Sequence, residues 1–159
     1  MSIVDMFVKI QGIVGESADY EHKGEIDVLS YSWGVSQTGT TAYGGGGGAG
    51  KANFHDFSFV MRMNKATPKL MQAVANGSHV PSAILTCRKA GDKQQEYMQY
   101  KFYDLVISSY QTAASSEEPT ESVSFNFAKM EMEYKEQDSK GNLGGATNFK
   151  YNIKENKAY

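Results

Sequence analysis

The chain has 159 residues, 16 of them Lys or Arg and 18 Asp or Glu, for a formal net charge of -2. That length suits one domain with a sizeable core, and the charge balance gives no basic footprint for nucleic acid or an anionic membrane surface. The single cysteine, Cys87, excludes an intramolecular disulfide, no apolar run approaches the ~20 residues of a membrane span, and Met1 to Asp5 lack the pattern of a signal peptide, so cytoplasmic synthesis is expected.

Taken in order, Met6, Val8 and Ile10 alternate with Phe7 and Lys9, which marks a short first strand, and Gly12 to Gly24 is a polar loop. Glu25 to Gln37 reads as a second strand: Leu29, Tyr31, Trp33 and Val35 form a bulky face for the core, while Ser30, Ser32, Gly34 and Ser36 form the other. An apolar core would leave those hydroxyls short of partners, so the serine face must meet water or another subunit. A third run, Asn53 to Asn64, alternates Phe57, Phe59, Met61 and Met63 with Ser58, Val60, Arg62 and Asn64.

Between these runs lies a connection whose tip reads Tyr43, Gly44, Gly45, Gly46, Gly47, Gly48, Ala49, Gly50, Lys51. Long unsupported loops are uncommon unless functional or disordered, and a run of glycines costs much entropy to order, so the expectation is an arm with a soft end that contacts another chain. Gly45 to Lys51 fits the opening of a phosphate-binding P-loop, G-x-x-x-x-G-K. The fit then fails, because Ala52 stands where a magnesium-holding Ser or Thr is required and a strand pattern follows instead of a helix.

One helix is expected from about Pro68 to Asn76, with Thr67 as N-cap, Gly77 as the stop, and Leu70, Met71 and Val74 on its packed side. Strands then resume: Ala83, Leu85 and Cys87 alternate with Ile84, Thr86 and Arg88; Ala90 to Lys93 turns; Tyr97 to Tyr110 runs long. Val123, Phe125 and Phe127 alternate until the parity shifts to Met130, Met132 and Tyr134, which predicts a β-bulge near Ala128 or Lys129. Ser139 to Asn142 makes another turn, and Phe149, Tyr151 and Ile153 a last strand. The fold class is therefore mainly β: an antiparallel barrel of two packed sheets, one short flanking helix and a protruding glycine-rich loop, in a single domain spanning residues 1–159.

No catalytic constellation stands out. His22, His55 and His79 lie in different segments without ligand spacing, so ordinary hydrogen-bonded roles and no metal or cofactor are expected. His55, Asp56 and Ser58 are near neighbours on one strand, where faces alternate, and so cannot form a triad. Cys87 reads as a packed, inert thiol, and Glu16, Glu21, Glu25 and Asp27 as solvated loop charges.

Several runs carry a resemblance: Met6 to Ile10, Gly15 to Ser17, Glu25 to Gln37, Lys65 to Met71, Leu85 to Gly91, Ser108 to Gln111 and Glu121 to Lys129. In this order, across nearly the whole chain, they resemble the haemolysin-coregulated protein (Hcp) family. The resemblance implies a non-enzymatic structural subunit of the type VI secretion system of Gram-negative bacteria, secreted without a signal peptide. It implies a β-barrel with a flanking helix, homohexameric rings stacked into an inner tube, and as partners the VgrG spike, contractile sheath proteins and small effectors in the lumen, with neither nucleic acid binding nor membrane insertion. On that reading the loop Tyr43 to Lys51 is the candidate contact between subunits or rings, and Ser30, Ser32 and Ser36 are the candidate lumen or ring surface. Residues 154–159 are too short for the toxin domain that some relatives carry behind the barrel. A ring that carries effectors without stacking, or a small enzyme or nucleotide-binding barrel, are the alternatives.

Overall fold

The computed structural model describes residues 4–39, 49–89, 95–138 and 140–159. Among the described residues, eleven strands and one helix form a nine-stranded antiparallel sheet and a separate two-stranded one. The spine is a pair of 18-residue strands, β8 (Glu96–Ala113) and β9 (Thr120–Gln137). On one side follow β7 (His79–Lys89), β1 (Val4–Ile10) and the two-residue β2 (Ile26–Asp27). On the other side β9 divides its free edge. Residues up to Phe125 pair with β6 (Phe57–Arg62), which in turn pairs with β3 (Ser30–Ser32), and residues from Lys129 onward pair with β10 (Leu143–Asn152) and its short hairpin partner β11 (Lys157–Ala158). β4 (Val35–Gly39) and β5 (Ala49–Phe54) pair only with each other.

The sheet curls on itself around Phe57, Phe59, Phe102 and Phe125, each wholly buried. The rings of Phe57, Phe102 and Phe125 lie 4.9 to 5.2 Å apart, close enough for mutually favourable edge and offset contacts. Expected as a barrel, the sheet has no continuous ladder between β1 and β6 among the described residues. One segment spans that seam: Val28 N–H donates to the Met6 carbonyl at 3.0 Å, and the next residue, Leu29, donates to Val60 on β6 at 2.7 Å.

That change of partner overturns part of the expected core. A single strand from Glu25 would bury Leu29, Tyr31, Trp33 and Val35, but the crossing splits it and resets parity. Ile26 and Val28 are buried before the seam, Tyr31 and Trp33 half-buried after it, and Leu29 and Val35 are 40% and 49% exposed. The run from Asn53 also breaks, at His55 and Asp56, leaving Phe57, Phe59 and Met61 in the core and Met63 outside.

The bulge expected near Ala128 is absent; the β8–β9 register slips instead between Ile107 and Ser109. Both strands nonetheless change parity at the Ala128 level, from Phe102 to Leu105 and from Phe127 to Met130. Asp104, opposite Ala128, has a φ of 55°, and this left-handed kink turns both strands where β9 exchanges β6 for β10.

The helix α1 (Thr67–Asn76) packs on β8 through Leu70 and Ala73. Met71, expected in that interface, is 49% exposed. Thr67 is not the cap: Ala66 holds that position without a side-chain bond, while the Thr67 hydroxyl donates to Glu121 Oε1 at 2.5 Å and accepts from Asn64 N–H at 3.1 Å. Gly77 ends the helix as expected, with φ at 62° and the Gly77 and Ser78 N–H groups returning to the Val74 and Ala73 carbonyls.

Candidate functional site

The β4–β5 hairpin is rooted firmly at its base. Trp33 Nε1 donates to the His55 carbonyl at 2.9 Å, His55 N–H donates to the Gly34 carbonyl at 3.0 Å, and the Phe54 ring stacks on Tyr151 at 4.9 Å. Beside this root a cleft of about 410 Å³ is lined by residues 51–55 with Asn126, Phe127 and Ile153. Of the loop residues picked from sequence, Tyr43, Gly44, Gly45, Gly46, Gly47 and Gly48 lie outside the described residues. Ala49, Gly50 and Lys51 are strand, not loop: they open β5, with Ala49 opposite Gly39 and the Lys51 side chain exposed. A strand continues from Lys51 through Phe54, so no helix N-terminus faces a phosphate there.

Ser30, Ser32 and Ser36 are all exposed, but the fold separates them. Ser32 lies opposite Ser58 on β6, Ser58 opposite Ser124 on β9, and Ser124 opposite Ser109 on β8, so one serine row crosses four strands. Within it the Ser58 and Ser124 hydroxyls are hydrogen-bonded at 2.7 Å. Ser30 stands one pleat along the same face, opposite Val60. Ser36 belongs to the other sheet and approaches His55 Nε2 at 3.4 Å. Sequence reading found the first member of the row and not its extent, because the other three serines come from strands up to 92 positions away and only register aligns them.

Asp56, Ser58 and His55 each have a separate partner. Asp56 accepts from Ser108 at 2.6 Å, Ser58 is bonded to Ser124, and His55 points to Ser36. Cys87 is 1% exposed, and burial pushes its thiol up to about 11, which suppresses the reactive thiolate.

Sequence reading missed a buried charged cluster at the other end of β1. Arg88, 2% exposed, reaches Asp19 with both terminal nitrogens at 3.0 and 2.5 Å and Asp5 at 3.3 Å. The Arg88 guanidinium holds the Asp19 carboxyl down at about 2, against its usual 3.8. Phe7 touches both groups: the guanidinium carbon lies 5.0 Å from its ring centroid, and the His22 ring stacks on it at 4.4 Å and 9°. His22, expected to be unremarkable, bridges two carboxylates, Nδ1 to Glu25 at 2.8 Å and Nε2 to Glu96 at 2.7 Å. Burial works against its protonation, but the two carboxylates prevail and its pKa is raised. The groups come together because β1 and β7 run side by side and Glu96 begins β8, a proximity no local spacing announces.

Comparison with known proteins defines the class. A family model described as "Type VI secretion system effector, Hcp" matches residues 7–134, and the chain belongs to that family of secreted, structural type VI secretion proteins. It is 46% identical over 157 residues to Protein hcp1 of Pseudomonas aeruginosa, covering 96% of this chain and 97% of that one. Among solved structures, Hcp1 from Salmonella typhimurium is 34% identical with a TM-score of 0.84, covering 99% of this chain and 100% of that chain. A type VI secretion system effector from Yersinia pestis is 33% identical with a TM-score of 0.76, covering 94% of this chain and 100% of that one. No helix of the described residues is long and apolar enough to cross a membrane.

Proposed function

We propose that this chain is a tube subunit of a type VI secretion system: it assembles into homohexameric rings, the rings stack into the inner tube, and the lumen carries small effectors. The contractile sheath drives such a tube outward with the VgrG spike at its tip, so the energy comes from elsewhere and the subunit itself has no turnover. It is made in the cytoplasm and leaves the cell with the tube.

The observation that carries the assembly is the β4–β5 hairpin, whose two strands, among the described residues, form a ladder with each other and with no strand of the main sheet. An isolated two-stranded ribbon is marginal in water and gains stability by packing on something else. Its connection, residues 40–48, ends in five glycines and carries one large side chain, Tyr43, which suits an element completed by the neighbouring subunit or ring. The serine row through Ser32 is the reading's lumen surface. Neutral hydroxyls bind cargo weakly enough to release it, and a conduit must not trap what it delivers.

Light scattering coupled to size exclusion across concentration, with negative-stain imaging of the main peak, tests the proposal. Six-fold rings with open centres that stack as concentration rises are expected. A monomer at every concentration would overturn the tube, and rings that never stack would leave an effector-binding ring in its place.

A further inference from the structure

We propose that Glu21, His22 and Glu96 form a binding site for a divalent transition-metal ion of the zinc class. One ligand atom from each residue lies within 4.8 Å of the others. The histidine is the fixed element. It is 7% exposed, its ring is clamped flat on Phe7, and Nδ1 is engaged by Glu25 at 2.8 Å. A carboxylate on one ring nitrogen is how metal-binding histidines are oriented, since it sets the ring plane and presents the other nitrogen as the ligand. Here that other nitrogen, Nε2, faces the Glu96 carboxylate at 2.7 Å.

The supporting loop is equally determined. Gly15 and Gly24 are joined backbone to backbone at 2.8 Å, Ser17 N–H donates to the Glu25 carbonyl at 2.9 Å, and Glu21 N–H donates to Asp19 Oδ1 at 3.0 Å. Asp19 is itself held by Arg88. Of the three ligands, Glu21 is the exposed one and can swing. Zinc takes imidazole nitrogen and carboxylate oxygen at about 2.0–2.2 Å, which places tetrahedral ligand atoms about 3.3 Å apart. Glu96 therefore withdraws by roughly half an ångström, Glu21 turns inward, and the ion replaces the proton that His22 shares with Glu96. Imidazole in the donor set selects zinc, nickel or copper over magnesium and calcium, which take oxygen shells. Three protein ligands leave a fourth position to water. The ion would tie the loop of residues 12–24 to the start of β8, 74 positions away in sequence.

The test titrates Zn²⁺ into chelator-treated, tag-free full chain by calorimetry, with Co²⁺ absorption as the report of a tetrahedral site. One ion per chain is expected, saturable at micromolar concentration, with a rise in Tm. Glu21→Gln and Glu96→Gln should each weaken affinity at least tenfold, as losing a ligand does, while His55→Gln and His79→Gln leave it unchanged. Glu21 is exposed, so Glu21→Gln reads the site without threatening the fold. The absence of saturable binding to the native chain would overturn the site, as would undiminished affinity in Glu21→Gln or loss of binding in His55→Gln or His79→Gln.

Discussion

Arg88 is the side chain whose loss leaves most behind. Its guanidinium is 97% buried at the side chain, while Asp19 and Asp5 keep 21% and 33% exposure. Removing one partner of a buried pair strands the other charge, which costs about 3–5 kcal/mol; partial contact of the two aspartates with water places Arg88→Met at the lower end, about 3 kcal/mol by urea unfolding. The acid dependence carries the sign. Because the folded pKa of Asp19 is depressed to about 2, its contribution is complete above the usual 3.8 and is lost as pH falls from there through about 2. The stability gap between wild type and Arg88→Met should accordingly narrow over that interval, and a gap independent of pH would dissociate Asp19 from the effect. Gly15 gives a steric counterpart: an added Cβ would lie 2.6 Å from the Glu25 carbonyl oxygen, whereas at Gly145 it meets nothing within 4 Å. Gly15→Ala should cost about 1–3 kcal/mol and Gly145→Ala less than about 0.5 kcal/mol, compared by denaturant midpoint.

At the scale of elements, the helix separates what spacing reveals from what docking decides. Leu70, Met71 and Val74 share a helical side, yet Leu70 is wholly buried and Met71 half outside, because α1 rests on β8 along the Leu70–Ala73 line. Leu70→Ala should lose about 2–5 kcal/mol and Met71→Ala less than about 1 kcal/mol; equal losses in thermal unfolding would put the wrong edge of the helix against the sheet. The strand after Glu25 teaches the same point. A core face of Leu29, Tyr31, Trp33 and Val35 would turn Ile26 and Val28 outward, yet both are buried, because the seam crossing at Leu29 inverts the alternation. Periodicity describes a strand only while its partner stays the same.

For the whole molecule, on the proposed tube reading, the hairpin's separation from the main sheet predicts that assembly and folding can be uncoupled. Deleting Gly45 to Gly48 shortens a connection whose flanking strands, β4 and β5, contribute no ladder to the nine-stranded sheet. The monomer's Tm should change by only a few degrees, while ring stacking in negative stain should fall sharply. Unchanged stacking would remove this loop from the assembly and leave other surfaces to account for it.

The sequence by itself determined the mainly β class, the short helix and its glycine stop, the inert cysteine, the failed phosphate loop and, through several ordered runs, the family. These are properties of short windows, where alternation, turn chemistry and residue identity act locally. Only the tertiary structure decided the seam at Val28 and Leu29, the four-strand serine row and the meeting of His22 with Glu96. Each of these depends on strand register between distant segments, which sums many weak cross-strand contacts and leaves no mark on any one stretch of chain.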